Sequence, residues 1–85
     1  MENSTRVELP ILESSKILLK HHTIGDLQKT YSNLLFVKYI YKDPEDGKLK
    51  GANPLGKLPL VANSFITIAG KFDDILVFTN DLVDS

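Results

Sequence analysis

Residues 23–42, TIGDLQKTYSNLLFVKYIYK, contain the clearest change of periodicity in the chain and decide its fold class. Apolar residues first recur every three to four positions after Ile24, which is the spacing of a helix that buries one face. Thr23 is a favourable N-cap, and Asp26 follows three residues later, where a capping box has its acidic member. The stretch therefore predicts a short helix from about Ile24 to Asn33.

A strand follows this helix, because residues 34–42 alternate between two sets of side chains. Apolar β-branched and aromatic residues dominate the segment, as is typical of strands. We expect the helix to cover only one of the two faces, so the other face stays open. Strict alternation gives one face Leu35, Val37, Tyr39 and Tyr41, and the other face Phe36, Lys38, Ile40 and Lys42.

The rest of the chain adds further strands on both sides of this centre. The predicted strands cover 5–12, 16–22, 60–69 and 75–78, with a loop over 48–59 and an acidic C-terminal tail over 79–85. The first two strands are predicted to pair as an antiparallel hairpin. We therefore predict a single domain, 1–85, of the α+β class. It has one antiparallel or mixed sheet of about five strands with one helix packed on one face, in the order ββαβββ.

This order resembles the β-grasp arrangement of ubiquitin-like domains, in which a hairpin is followed by Thr-Ile at the start of the helix, as Thr23-Ile24 is here. The resemblance implies a β-grasp-like roll. A conjugated modifier of that family would end in Gly-Gly, whereas residues 82–85 of this chain read LVDS. Covalent conjugation to other proteins is therefore not expected.

The composition excludes several classes of function. The chain has 85 residues, ten basic against eleven acidic side chains, a net charge of −1 and no cysteine. Disulfide scaffolds, cysteine zinc sites, thiol catalysis and iron–sulfur clusters are therefore excluded. So small a domain leaves little volume for an enzyme pocket, which favours binding over catalysis. Because the sequence shows no secretory signal and no apolar stretch of spanning length, we expect a cytoplasmic location and no membrane partner.

Apolar side chains that a single helix leaves uncovered are the strongest indication of function. Phe36 and Ile40 alternate with Lys38 and Lys42, and Leu18 lies in the predicted strand before the helix. These three apolar residues would form a patch rimmed by lysines, as is typical of protein contacts. The sequence therefore predicts a non-enzymatic module that binds a protein partner, or forms a homo-oligomer, through an open sheet face. The two lysines would steer an acidic partner.

The loop over 48–59 is a second candidate contact surface. Residues 51–57, GANPLGK, have the glycine and lysine spacing of a phosphate-binding loop, but Leu58 stands where a Ser or Thr would bind Mg²⁺. No nucleotide cofactor is therefore expected. Exposed Gly/Pro loops often carry contacts, and the alternative is that the loop folds over the apolar patch as a second layer. The candidate contact residues are Gly51, Asn53, Gly56 and Lys57.

The sequence contains no catalytic or metal-binding signature. His21 and His22 are adjacent, so on a strand they point to opposite faces and cannot easily bind one metal ion. The carboxylate pairs at 45–46 and 73–74 lie beside glycines in predicted turns, where solvated acids are the expected state. We therefore expect no enzyme activity, no metal site and no cofactor.

The distribution of charge leaves one alternative function open. Residues 16–57 carry eight lysines against four acidic residues. Lysines near Phe36, Tyr39 and Tyr41 could bind single-stranded nucleic acid through phosphate contacts and stacking. The chain has only one arginine, and its pI is about 6.0, so protein binding is favoured. Weak nucleic-acid binding by residues 16–57 is the alternative.

Overall fold

A computed structural model describes residues 4–51 and 55–83 of the chain. These residues form a small α+β domain with one antiparallel sheet of four strands and a C-terminal helix. A short 3₁₀ turn, Leu55–Lys57, precedes the last strand. The strands and α-helices in chain order are β1 (Ser4–Ile11), α1 (Ile17–Lys20), α2 (Ile24–Thr30), β2 (Leu35–Lys42), β3 (Leu49–Lys50), β4 (Ser64–Lys71) and α3 (Phe72–Val83).

The last strand of the chain lies inside the sheet. The strand order is β1-β4-β2-β3, and every neighbouring pair is antiparallel. Ile68 of β4 pairs with Val7 on one side and with Phe36 on the other. The α+β class and the antiparallel sheet are thus confirmed. The described residues give four strands rather than about five, in an element order other than ββαβββ, and the β-grasp resemblance is not confirmed.

One face of the sheet and the three helices enclose the core. Phe78 of α3 makes edge-to-face contacts with the rings of Phe36 and Tyr31, at centroid distances of 5.9 and 4.9 Å. Such aromatic pairs add to the stabilisation that comes from burial alone. The buried strand and helix residues are Ile11, Ile17, Ile24, Leu27, Phe36, Tyr39, Tyr41, Ile66, Ile68, Ile75, Phe78 and Leu82.

The N-terminus of α2 is closed by the predicted capping box. The Asp26 backbone N–H donates to Thr23 Oγ1 (3.2 Å), and the Asp26 carboxylate accepts from the backbone N–H groups of Thr23 (3.1 Å) and His22 (2.8 Å). These backbone hydrogen bonds, from His22 first and Thr23 second, lower the pKa of Asp26. The cap fixes where the helix begins, and α2 ends at Thr30, three residues earlier than predicted.

Thr23→Ala is expected to lower the free energy of unfolding by about 1 kcal/mol, because the Asp26 backbone N–H at the start of α2 loses its side-chain acceptor and keeps only the Thr23 carbonyl. Urea unfolding of the two proteins measures this difference. Thr30→Ala is the control, since its hydroxyl bonds to the Asp26 carbonyl on the exposed side of α2. An equal loss in both variants would contradict the capping role.

The predicted faces of β2 change at a β-bulge. The register of β2 against β4 shifts between Phe36 and Lys38, so Val37 is an extra residue. Before the bulge, the sides are reversed relative to strict alternation. Phe36, predicted on the open face, is buried with Tyr39, and Leu35 is exposed instead. The prediction that Phe36 lies on the open face is therefore wrong.

Two of the predicted strands are helical. Residues 17–20, within the predicted strand 16–22, form α1, and the strand that pairs with β1 is β4 rather than this segment. The predicted turn after residue 69 is absent, since β4 continues to Lys71 and α3 starts at the next residue. The predicted strand 75–78 lies in α3, and residues 79–83, predicted as a tail, complete that helix. Within the described residues, no helix is both long enough and apolar enough to cross a membrane.

Candidate functional site

In the described part of the chain, nothing covers the side of the sheet opposite the helices, and we call this side the open face. The registers of β1, β4 and β2 align its side chains in three rows across the strands. Opposed Cβ atoms in such rows are about 4.5–5.5 Å apart, so neighbours in a row are in contact range. The rows are Pro10–Phe65–Ile40, Glu8–Thr67–Lys38 and Arg6–Ala69–Leu35.

The first row is an exposed apolar strip at one end of the open face. Phe65 lies on the central strand β4 and is 48% exposed, between the exposed Pro10 and the half-buried Ile40. Leu49 of β3 is exposed and pairs with Lys42, which places it diagonally beside Ile40. We call these four residues the apolar row. An aromatic ring at the centre of an apolar strip is typical of a protein contact surface.

Positive charge dominates the rest of the open face, where Lys38 and Lys42 flank the apolar row and Arg6 and Lys71 lie toward the far end. Arg6, Lys38 and Lys42 lie on the open face, and Lys71 pairs with Ser4, which places it on the same side as Arg6. Glu8 is the one acidic residue on the rows. The four cationic side chains are exposed. The open face therefore presents a positive potential beside an apolar strip, which favours an acidic partner surface.

The structure brings together only part of the predicted patch. Ile40, Lys38 and Lys42 share the open face, as alternation predicts after the bulge. Phe36 is buried against Phe78, and Leu18 packs from α1 against the covered side of the sheet. The three apolar residues that were predicted to form one patch therefore lie apart.

Sequence analysis missed the residue at the centre of the apolar row. Phe65, Thr67 and Ala69 alternate with the buried Ile66 and Ile68 along β4. This period-two pattern was present in the sequence and could have identified Phe65. Phe65 is central because β4 lies between β1 and β2, and the local sequence pattern does not predict this strand order.

The loop before β4 packs on the helical side of the sheet rather than on the open face. A Cβ atom at Gly25 of α2 would lie 2.8 Å from the Gly56 carbonyl oxygen, and one at Gly51 would lie 2.7 Å from the Tyr39 carbonyl oxygen. These close approaches explain why glycine stands at both positions. Lys57 is exposed there, and Asn53 lies outside the described residues. In the described part of the loop, residues 55–57 contact α2 and β2 and do not form the predicted second layer over the apolar row.

The turn between β2 and β3 is held by an ion-pair cluster. Lys50 Nζ lies 2.5 Å from Asp43 Oδ2 and 3.0 Å from Asp46 Oδ2. The hydrogen bond to Asp43, and then that to Asp46, raises the pKa of Lys50. Gly47 adopts a φ of 71°, as the turn requires. This lysine is therefore engaged in the turn and does not add to the charge of the open face.

The other polar candidates, the two histidines and the two carboxylate pairs, lie on different elements of the described structure. Within 4–51 and 55–83, no group of three or more His, Asp or Glu side chains could hold a metal ion. The His21 ring lies 6.4 Å from the Tyr31 ring, and His22 is exposed. Residues 73–74 lie in the first turn of α3, where acidic side chains suit the helix dipole.

A small cleft lies between α3 and the segment that follows α2. Its volume is about 170 Å³, and it is lined by Asp74, Val77 and residues 30–34. Ligand pockets usually have volumes of roughly 300–1,000 Å³, so this cleft is small for an organic ligand. A wider and more polar depression of about 500 Å³ at the start of α3 is lined by Ser4, Asn33, Gly70, Lys71, Asp73 and Asp74. The open face is the leading candidate site because it exposes apolar side chains side by side. No protein family, curated protein or solved structure matches this chain.

Proposed function

We propose that this protein is a non-enzymatic binding module that docks an acidic protein surface on the open face of its sheet. The observation that carries the proposal is the apolar row, which crosses the strands of the sheet. The same face also carries four cationic side chains and one acidic side chain. Exposed apolar strips with polar rims mark protein contact sites. The module would act in the cytoplasm, as the sequence analysis predicts.

The apolar row would supply most of the binding free energy. Phe65 is held by the central strand, so its backbone is fixed before any partner arrives. Aromatic side chains near the middle of an interface are common binding hot spots. A rigid aromatic residue loses little conformational entropy when it is buried by a partner. Phe65 is therefore the anchor of the proposed contact.

The charged residues would select the partner and speed its approach. Lys38 lies in the middle row, and Arg6 and Lys42 lie on either side of it along the face. Such rim charges contribute to association rate and specificity more than to final affinity. They also disfavour a second open face as the partner, because like charges would meet. The partner is therefore a different surface, rich in Asp or Glu around an apolar centre.

The alternative, weak nucleic-acid binding, is less well supported by the arrangement. Single strands are held by several aromatic rings and a continuous cationic groove. The open face carries one exposed aromatic ring, and Tyr39 and Tyr41 are buried. The eight lysines of residues 16–57 are spread over α1 and its N-cap, α2, the open face, the turn between β2 and β3, and the 3₁₀ turn. Single-stranded oligonucleotides are therefore the comparison ligand in the binding experiment described next.

Selection from a displayed peptide library, followed by NMR mapping, tests the proposal. We expect enriched peptides to combine Asp or Glu with aromatic or branched apolar residues, and to shift the amide signals of β2 and β4. Their affinity should fall as salt is added. Shifts confined to α1, α2 or the loop over 48–59 would contradict the proposal. Tighter binding of an oligonucleotide than of any peptide would favour the alternative.

Lys38→Glu is expected to weaken the selected peptides by roughly threefold to tenfold and to flatten the salt dependence, because an attractive rim charge becomes repulsive. Titration by fluorescence anisotropy at several salt concentrations measures both effects. Lys57→Glu is the matched control, since this exposed lysine lies on the loop that packs at the helical side. A loss that occurs with Lys57→Glu and not with Lys38→Glu would move the contact to the loop.

A further inference from the structure

A second exposed apolar surface lies along the outer edge of the sheet. In the described residues, β1 is the first strand of the sheet and has a paired neighbour on one side only. Beside it, α3 exposes Phe72 (63%), Leu76 (46%) and Val83 (65%). We call β1 and these three residues the β1 edge surface. It shares Pro10 with the apolar row, but its helical part is separate, because α3 lies on the helical side of the sheet.

We call Phe72, Leu76 and Val83 the stripe, and the packing of α3 determines which way the stripe faces. Ile75, Phe78 and Leu82 form the buried face of the helix, and α3 contacts β4 and β1. Asp81, which accepts a 2.6 Å hydrogen bond from the Tyr31 hydroxyl, marks the side that faces α2. Successive residues of an α-helix are rotated by about 100° around its axis, so the stripe lies on the side of α3 opposite Asp81. It therefore faces away from α2 and outward over the edge strand.

The helix also runs in the same direction as β1. It begins directly after Lys71, which pairs with Ser4 at the start of β1. Near its other end, the Leu82 carbonyl accepts a 2.6 Å hydrogen bond from Ser15, four residues after β1 ends. Leu76 therefore lies over the middle of β1, close to the level of Val7.

We propose that a second copy of this chain docks on the β1 edge surface, with the two β1 strands paired antiparallel about Val7. An exposed edge strand can pair with another strand through its free backbone groups. In this register, Arg6 of each copy lies opposite Glu8 of the other, which gives two pairs of opposite charge. Registers centred on Arg6 or Glu8 would instead place like charges directly opposite, which is destabilising.

The same two-fold arrangement brings the helices together. Because α3 lies over β1 and β4, and strands are about 4.8 Å apart, the two α3 axes would be roughly 10 Å apart, within ordinary helix-packing distance. The helices would run antiparallel, with Leu76 of each near the two-fold axis. Pro10 falls opposite Ser4 at the end of the pairing, where its missing N–H removes only a terminal hydrogen bond.

The partner at the β1 edge surface is a second copy of the chain because this surface is complementary to itself. A two-fold interface brings each patch against the same patch, so it must carry both members of every charge pair. The β1 edge surface does this with Arg6 and Glu8, which the register about Val7 sets against each other, whereas two facing open faces would set four cationic residues and one acidic residue against the same set. The dimer does not require the proposed function, although it would engage Arg6 of the open face, and it would place two open faces side by side on one eight-stranded sheet.

Charge exchange between Arg6 and Glu8 tests the register directly. Sedimentation equilibrium of the chain alone should show a reversible monomer–dimer equilibrium. Arg6→Glu and Glu8→Arg should each weaken the dimer by about tenfold, and the double exchange should restore it, because the opposed pairs are then again of opposite charge. Glu45→Lys, in the exposed turn after β2, is the control and should leave the dimer unchanged.

A second variant tests the helical part of the surface. Leu76→Asp should dissociate the dimer, whereas Leu19→Asp, at an exposed position of α1, should not. Circular dichroism confirms that each variant remains folded, and the charge exchange still decides the question if Leu76→Asp unfolds. A chain that is monomeric at every concentration overturns the proposal. A dimer that the double exchange fails to restore overturns it as well.

Discussion

Phe36→Ala is expected to lower the free energy of unfolding by about 3–5 kcal/mol, whereas Leu35→Ala is expected to change it by less than about 1 kcal/mol. The two residues are neighbours on β2, but Phe36 is 6% exposed and Leu35 is 65% exposed. Phe36 fills the space beneath Phe78 of α3, so its removal leaves a cavity between the sheet and the helix. Leu35 lies on the open face, where alanine leaves no cavity.

Chemical denaturation of the two variants measures the difference, and it tests the β-bulge at the same time. Strict alternation along β2 predicts the reverse order, with Leu35 in the core and Phe36 in solvent. A larger loss for Leu35→Ala than for Phe36→Ala would therefore show that the register shift between Phe36 and Lys38 is absent. Val37→Ala should give an intermediate value, since Val37 is half-buried at the bulge.

Phe65→Asp is expected to weaken binding of the selected acidic peptides by about 30-fold or more, the effect of losing an interface hot spot. The substitution removes the aromatic centre of the apolar row and places a negative charge where the partner is acidic. It should have a modest effect on stability, because the ring is nearly half exposed and strand preference contributes only about 1 kcal/mol. Isothermal titration with a selected peptide measures the loss.

Leu19→Asp is the matched control for Phe65→Asp, since it introduces the same charge at an exposed leucine of α1. We expect it to bind as the unmodified protein does. An equal loss in both variants would mean that overall charge, rather than the apolar row, governs affinity. Unchanged binding by Phe65→Asp would remove the open face as the contact site.

The parts of the fold that sequence analysis predicted are those with strong local signals. The α2 helix has a capping box, and β2 has a long alternating pattern, so both follow from residues close together in the chain. The apolar runs in α1 and α3 are short, and short apolar runs fit a strand or a helix equally well. Whether such a run forms a strand or a helix depends on contacts with residues far away in the sequence, such as the pairing of β4 with β1.

The open face could be predicted only in part for the same reason. Lys38, Ile40 and Lys42 were assigned to one face correctly because they follow the bulge, where alternation is regular. Phe36 precedes it, and a single extra residue reverses the faces of everything before it. The neighbours of Ile40 are set by the strand that pairs with β2. Phe65 and Pro10 could therefore be assigned to the site only once the order of the strands was known.

The central position of β4 also has a consequence for synthesis of the chain. β1 and β2 are both complete before residue 43, yet each pairs mainly with residues 64–71. Before this segment has emerged from the ribosome, a nascent chain can therefore form only the short pairing of β2 with β3. Sheets that depend on such distant pairing fold slowly. Until then, the apolar side chains of the first two strands stay accessible to chaperones, which makes translation of residues 64–71 the step that commits the polypeptide to its native topology.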